Sequence, residues 1–158
     1  MAIRPPETAL FKLIGILLTV AGIVVAIAGG IYVFHVVRQF DSLGTDGPPG
    51  ELADGLAVAF WGIIAFTLGR YAARGARRTG GRDRFGRILI AVGYLMLGIA
   101  LDRGVHSAIG LWGAPAAEGG QSAAIRTLVT VGLWGVPATI IAVIGTKLAS
   151  GPETADAQ

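Results

Sequence analysis

Apolar residues fill four long stretches of the chain, 13–37, 55–69, 88–101 and 127–146, and charged residues collect between them. Uninterrupted apolar runs of this length are the pattern of helices solvated by lipid rather than of helices with one wet face. The pattern predicts helices at about 10–38, 53–75, 84–103 and 125–148. The expected fold class is an all-α integral membrane protein, with residues 1–158 forming a single four-helix membrane domain.

The first stretch holds 25 residues between Lys12 and Arg38, about 37 Å as a helix against a hydrocarbon core of about 30 Å. It resembles a signal sequence, and Ala26-Ile27-Ala28 has the small-x-small form of a cleavage site. The apolar run continues from Gly29 to Val37, so an uncleaved membrane helix is expected. The middle stretches are short, 15 residues between Asp54 and Arg70 and 14 between Arg87 and Asp102. Each covers only about 21 to 23 Å, so both helices must continue into their charged flanks. Arg70, Arg74, Arg84 and Arg87 then snorkel at one boundary, and Asp54, Asp102 and Arg103 lie at the other.

The connections carry further signals. The Gly47-Pro48-Pro49-Gly50 run predicts a surface loop. Across 104–113, Val105, Ala108, Ile109 and Trp112 fall at helical spacing, which predicts a short helix in the membrane interface with Trp112 at headgroup depth. Pro137 interrupts the backbone bonding of the fourth helix, where ordinary packing is the expected accommodation.

Charge then orients the chain. Arg4, Lys12, seven arginines across 70–87 and Lys147 fall on one side, against Arg38, Arg103 and Arg126 on the other. The positive-inside rule places both termini and the arginine loop in the cytoplasm. Composition agrees with a bilayer environment: 53% of residues are hydrophobic, 15% are charged, and mean hydropathy is +0.67. The preference for Arg over Lys, 11 to 2, with abundant Gly and Ala, reads as GC-rich coding and points to a bacterial inner membrane. The net charge of +3 sits largely in one membrane-flanking loop, so topology explains it without nucleic acid. With no cysteine, disulfides, thiolate metal sites and Cys nucleophiles are excluded.

Candidate chemistry is sparse. Small residues at four-residue spacing predict a packing stripe of Gly22, Ala26 and Gly30, with lesser stripes at Gly55/Ala59, Ala65/Gly69 and Ala138/Ala142. An outer-face polar cluster of Arg38, Asp54, Asp102, Arg103 and Arg126, flanked by His35 and His106, reaches one membrane face. Its simplest reading is an ion pair, Asp54 with Arg103 or Asp102 with Arg126, that secures helix ends. His35 and His106 are the only candidates for axial haem ligands, and no metal-ligand set accompanies them. Arg70, Arg74, Arg77, Arg78, Arg82, Arg84 and Arg87, opposed by Asp83 alone, predict contact with anionic lipid headgroups or an acidic partner. No hydrolase elbow, phosphate loop or zinc-protease helix is present. Thr19, Thr67, Thr130 and Thr139 lie in apolar runs, where hydroxyls back-bond to their own helix.

The expected function is therefore non-catalytic: an accessory or scaffold subunit packing against other integral membrane subunits, without a cofactor. The alternatives are a small oligomeric channel or carrier with an outer-face polar access site, and a haem-binding redox subunit.

Overall fold

The computed structural model describes residues 6–43, 49–75, 80–109 and 120–149, and these form four helices: α1 (Pro6–Leu43), α2 (Pro49–Gly75), α3 (Gly81–Ile109) and α4 (Gly120–Ala149). All four are long and apolar enough to cross a membrane, which suggests a multi-pass membrane protein. Each outruns its predicted bounds because the backbone ladder costs nothing extra to continue past a charged side chain that reaches polar surroundings. The proline-glycine run does not exclude helix, as Pro49 opens α2. A first-turn proline lacks an N–H that has no intrahelical partner anyway.

No separate helix begins at residue 104. Val105, Ala108 and Ile109 are the last turns of α3, and Trp112 lies outside the described residues. Gly104 is buried against α4, where a Cβ would meet the Val131 side chain at 2.7 Å, so packing carries α3 straight on. α4 likewise runs unbroken through Pro137.

The helices pack in chain order, α1 on α2, α2 on α3 and α3 on α4, and no Cα atoms come within 8 Å between α1 and α3, α1 and α4, or α2 and α4. The arrangement is a row with α1 and α4 as its flanks. Only 11% of the most apolar stretch is buried in either flank helix, against 33% in α2 and 28% in α3. Exposed Leu, Ile and Val side chains such as Leu17, Ile27, Leu128 and Leu133 suit lipid tails, which are as apolar as they are.

Two seams hold the row. On α1 the buried positions Gly15, Gly22, Gly29 and Val36 recur every seven residues, and they face Gly55, Gly62 and Gly69 of α2 at the same period. On α3 and α4 the corresponding residues are Gly86, Gly93 and Ala100 against Ala138 and Gly145. A Cβ at Gly93 would sit 2.8 Å from the Ala138 carbonyl oxygen, and one at Gly145 would sit 2.7 Å from the Gly86 carbonyl oxygen. Backbone therefore touches backbone, which maximises dispersion contact where no hydrophobic driving force exists between helices. The middle junction is different: Gly98 of α3 receives the Trp61 ring and Ile64 of α2, each 2.8 Å from where a Cβ would lie.

This corrects the four-residue stripe. Gly22 and Ala26 face α2, but Gly30 is exposed with nothing within 4 Å, and Gly29 occupies the seam. Successive residues turn by about 100°, so positions eight apart diverge by about 80°, whereas positions seven apart drift by only about 20°.

Candidate functional site

The ends of α1 and α3 and the starts of α2 and α4 share one rim, and side-chain hydrogen bonds join each neighbouring pair there. The Tyr32 hydroxyl of α1 donates to the Glu51 carboxylate of α2 at 3.4 Å. The Thr127 hydroxyl of α4 donates to Ser107 Oγ of α3 at 2.8 Å. Between them, at the middle junction, His106 joins Asp54 and Asp102.

His106 Nε2 lies 3.0 Å from Asp54 Oδ1, across the α2–α3 junction. Its Nδ1 lies 2.9 Å from the Asp102 carbonyl oxygen and 3.1 Å from Asp102 Oδ1, one turn back on α3. Both ring nitrogens thus face oxygens that only accept, because a carboxylate has no proton to donate. A neutral imidazole has one N–H and serves one side; an imidazolium serves both. The cluster is half exposed, with 45% of the His106 and 70% of the Asp54 side-chain surface accessible.

Of the sequence-predicted cluster, Asp54 and Asp102 therefore come together, through His106 rather than through arginine. Arg103 and Arg126 are exposed and pair with neither carboxylate. Arg38 lies over the Phe34 ring of its own helix, Cζ 4.7 Å from the centroid. His35 approaches Gln39, ring nitrogen to amide nitrogen 3.3 Å. Since α1 and α3 do not approach each other, the structure does not bring His35 and His106 together as a ligand pair. Among the described residues, no group of three His, Asp or Glu side chains is arranged to hold a metal ion.

At the opposite rim, α2 ends and α3 begins among arginines. Arg87 pairs with Asp83 one turn earlier on α3. Arg70 is exposed and its guanidinium lies over the Phe66 ring, Cζ 5.4 Å from the centroid. Arg74, Arg82 and Arg84 are exposed as well, while Arg77 and Arg78 lie outside the described residues. A cleft of about 250 Å³ opens here, lined by Phe66, Thr67, Arg70, Tyr71, Arg74 and Tyr94. The Tyr71 and Tyr94 rings meet across it with centroids 6.3 Å apart.

The sequence reading missed both tyrosines and the role of His106 as a bridge. Pairing Tyr71 with Tyr94 requires the α2–α3 register, which no local spacing supplies. The seven-residue glycine period, by contrast, was present in the sequence and was hidden by the more familiar four-residue spacing. Of the intrahelical threonines, Thr19, Thr67 and Thr139 donate to the carbonyls of Gly15, Ile63 and Gly135 at 2.7 to 2.8 Å.

Comparison of the chain with protein-family models, with curated proteins and with solved structures yields no match.

Proposed function

We propose that this chain is a non-catalytic accessory or scaffold subunit of a bacterial inner-membrane complex, with both termini in the cytoplasm. The observation that supports it best is the pair of glycine seams. They bring the helices of each pair into backbone contact, the close packing of a structural helix pair. What the seams build is a row of helices whose two flanks present apolar surface to lipid or to other membrane subunits. The rim polar groups engage one another, as structural ties do.

The decisive experiment is a gentle-detergent pull-down of the tagged protein from its native membrane, with native-gel sizing and identification of what accompanies it. The expected result is a stoichiometric, much larger complex. A homo-oligomer alone would overturn the proposal. Orientation is tested separately in the cysteine-free background. A cysteine placed at Thr45 should react with an impermeant thiol reagent in intact cells, and one at Thr79 should not; the reverse would invert the topology.

A second reading, a small oligomeric carrier, draws on one observation: Asp54, His106 and Asp102 converge at the end of the less tightly seamed α2–α3 junction. A histidine between two carboxylates can pass a proton from one to the other, as ion and proton relays in membranes require. Solute flux in proteoliposomes that is abolished by Asp54→Asn would favour this reading over the first.

A further inference from the structure

We propose that the arginine end of the α2–α3 junction is a binding site for an anionic phospholipid, its phosphate held between Arg70 and Arg74 and its acyl chain lying along α2. This rests on reading the helices as membrane spans, and not on any particular partner.

Two concavities share a wall. The cleft with Arg70, Arg74, Tyr71 and Tyr94 is bounded by Phe66. Phe66 also bounds a purely apolar groove of about 180 Å³ between α1 and α2, lined otherwise by Ile23, Ala26, Ile27 and Ile63. Along α2, Ile63, Phe66, Arg70 and Arg74 follow one another at three- and four-residue steps, so they form a single stripe. That stripe passes from apolar to cationic toward the helix end, in the order of a phospholipid lying beside the helix. A free anion would use only half of it.

The headgroup chemistry is equally directional. The Arg70 guanidinium lies over the Phe66 ring, Cζ 5.4 Å from its centroid, an apolar support for a group whose N–H donors match phosphate oxygens. Arg74, one turn on, adds a second fork, and the Tyr71 and Tyr94 hydroxyls can donate to the same oxygens. No carboxylate lines the cleft. A zwitterionic lipid would bring an ammonium group toward two guanidinium groups, so a headgroup without a cation, such as a phosphoglycerol, fits better. Tyrosines at this depth also suit the amphipathic interface, where their rings and hydroxyls meet different solvents.

The test is native mass spectrometry of the full chain in a neutral detergent, offered equal amounts of phosphatidylglycerol and phosphatidylcholine. Phosphatidylglycerol should be retained selectively. Arg70→Gln with Arg74→Gln should reduce its retention by about tenfold or more, since even one lost charge-assisted hydrogen bond is on that scale and this change removes both guanidinium groups. Arg82→Gln with Arg84→Gln removes the same charge at the start of α3 and should leave retention within about twofold, as screened charges outside the cleft contribute little. If the first pair fails to fold, Tyr71→Phe with Tyr94→Phe should still lower retention. Equal losses in both arginine pairs would overturn the site in favour of a diffuse field. Equal retention of phosphatidylcholine would also overturn it, and displacement by millimolar inorganic phosphate would show a free-anion site instead. Extraction of the chain from membranes by alkaline carbonate would defeat the membrane reading itself. A carbonate-resistant chain without lipid selectivity would defeat only this site.

Discussion

Glycine does its work here by what it lacks. At Gly62 a Cβ would overlap the Ala26 backbone, and at Gly93 it would meet the Ala138 carbonyl oxygen and the Ala142 backbone and Cβ. None of these neighbours is the free end of a flexible side chain, so only separation of the helices could relieve the overlap. Gly62→Val and Gly93→Val should each lower the detergent melting temperature, by an overpacking cost of about 1 to 3 kcal/mol. Gly30→Ala adds a methyl where nothing lies within 4 Å, and it should leave stability unchanged or raise it slightly, as alanine is the better helix former. Equal losses at Gly30 and Gly62 would remove the seam as the explanation. The lipid-facing residues should tolerate exchange among Leu, Ile and Val, since their environment is fluid.

At the scale of elements, the middle junction is the point of interest, because α2 and α3 meet through side chains rather than through a glycine seam. Trp61 and Ile64 on Gly98 secure its centre, His106 ties one end, and the two tyrosines line the other. The pairing is specific enough to test by a double-mutant cycle. Asp54→Asn and His106→Gln should couple by a few tenths to about 1 kcal/mol in detergent stability, a modest value because His106 is half exposed and Asp54 largely so. Asp54→Asn with Arg103→Gln should be additive, as these side chains do not pair. Coupling in the arginine cycle and none in the histidine cycle would restore the ion pair that residue types alone suggest. Opposite charges at helix ends offered several pairings of equal chemical merit, and only the register of α2 against α3 selects among them.

For the whole molecule, a row is a different object from a closed bundle. Its flanks never meet, so α1 and α4 are each free along one side to contact lipid, another subunit or another copy. The absence of native cysteines makes this directly measurable. Ser107→Cys with Thr127→Cys replaces two oxygens 2.8 Å apart and should form an intramolecular disulfide readily. Cysteines at Ile23 and Ile140, on the two flanks, should not join within one chain. A concentration-independent Ile23–Ile140 cross-link would show that the row closes.

Four helices of membrane-spanning length were legible from the sequence because lipid solvation is a property of each segment alone, summed residue by residue without reference to neighbours. The need for the middle helices to extend past Arg70 and Asp102 followed from their lengths by the same logic. The arginine asymmetry is likewise a count along the chain, and it directs the orientation proposed for the protein. What joins to what lay beyond that reach. Whether Gly29 or Gly30 meets α2, whether Asp54 finds an arginine or a histidine, and whether two tyrosines 23 positions apart share a cleft all depend on helix rotation and register. The first is decided by backbone contact across the α1–α2 seam, where a rotation of one residue, about 100°, would exchange Gly15 and Gly22 for Ile16 and Ile23; the other two are decided at the α2–α3 junction, where Trp61 and Ile64 pack on Gly98.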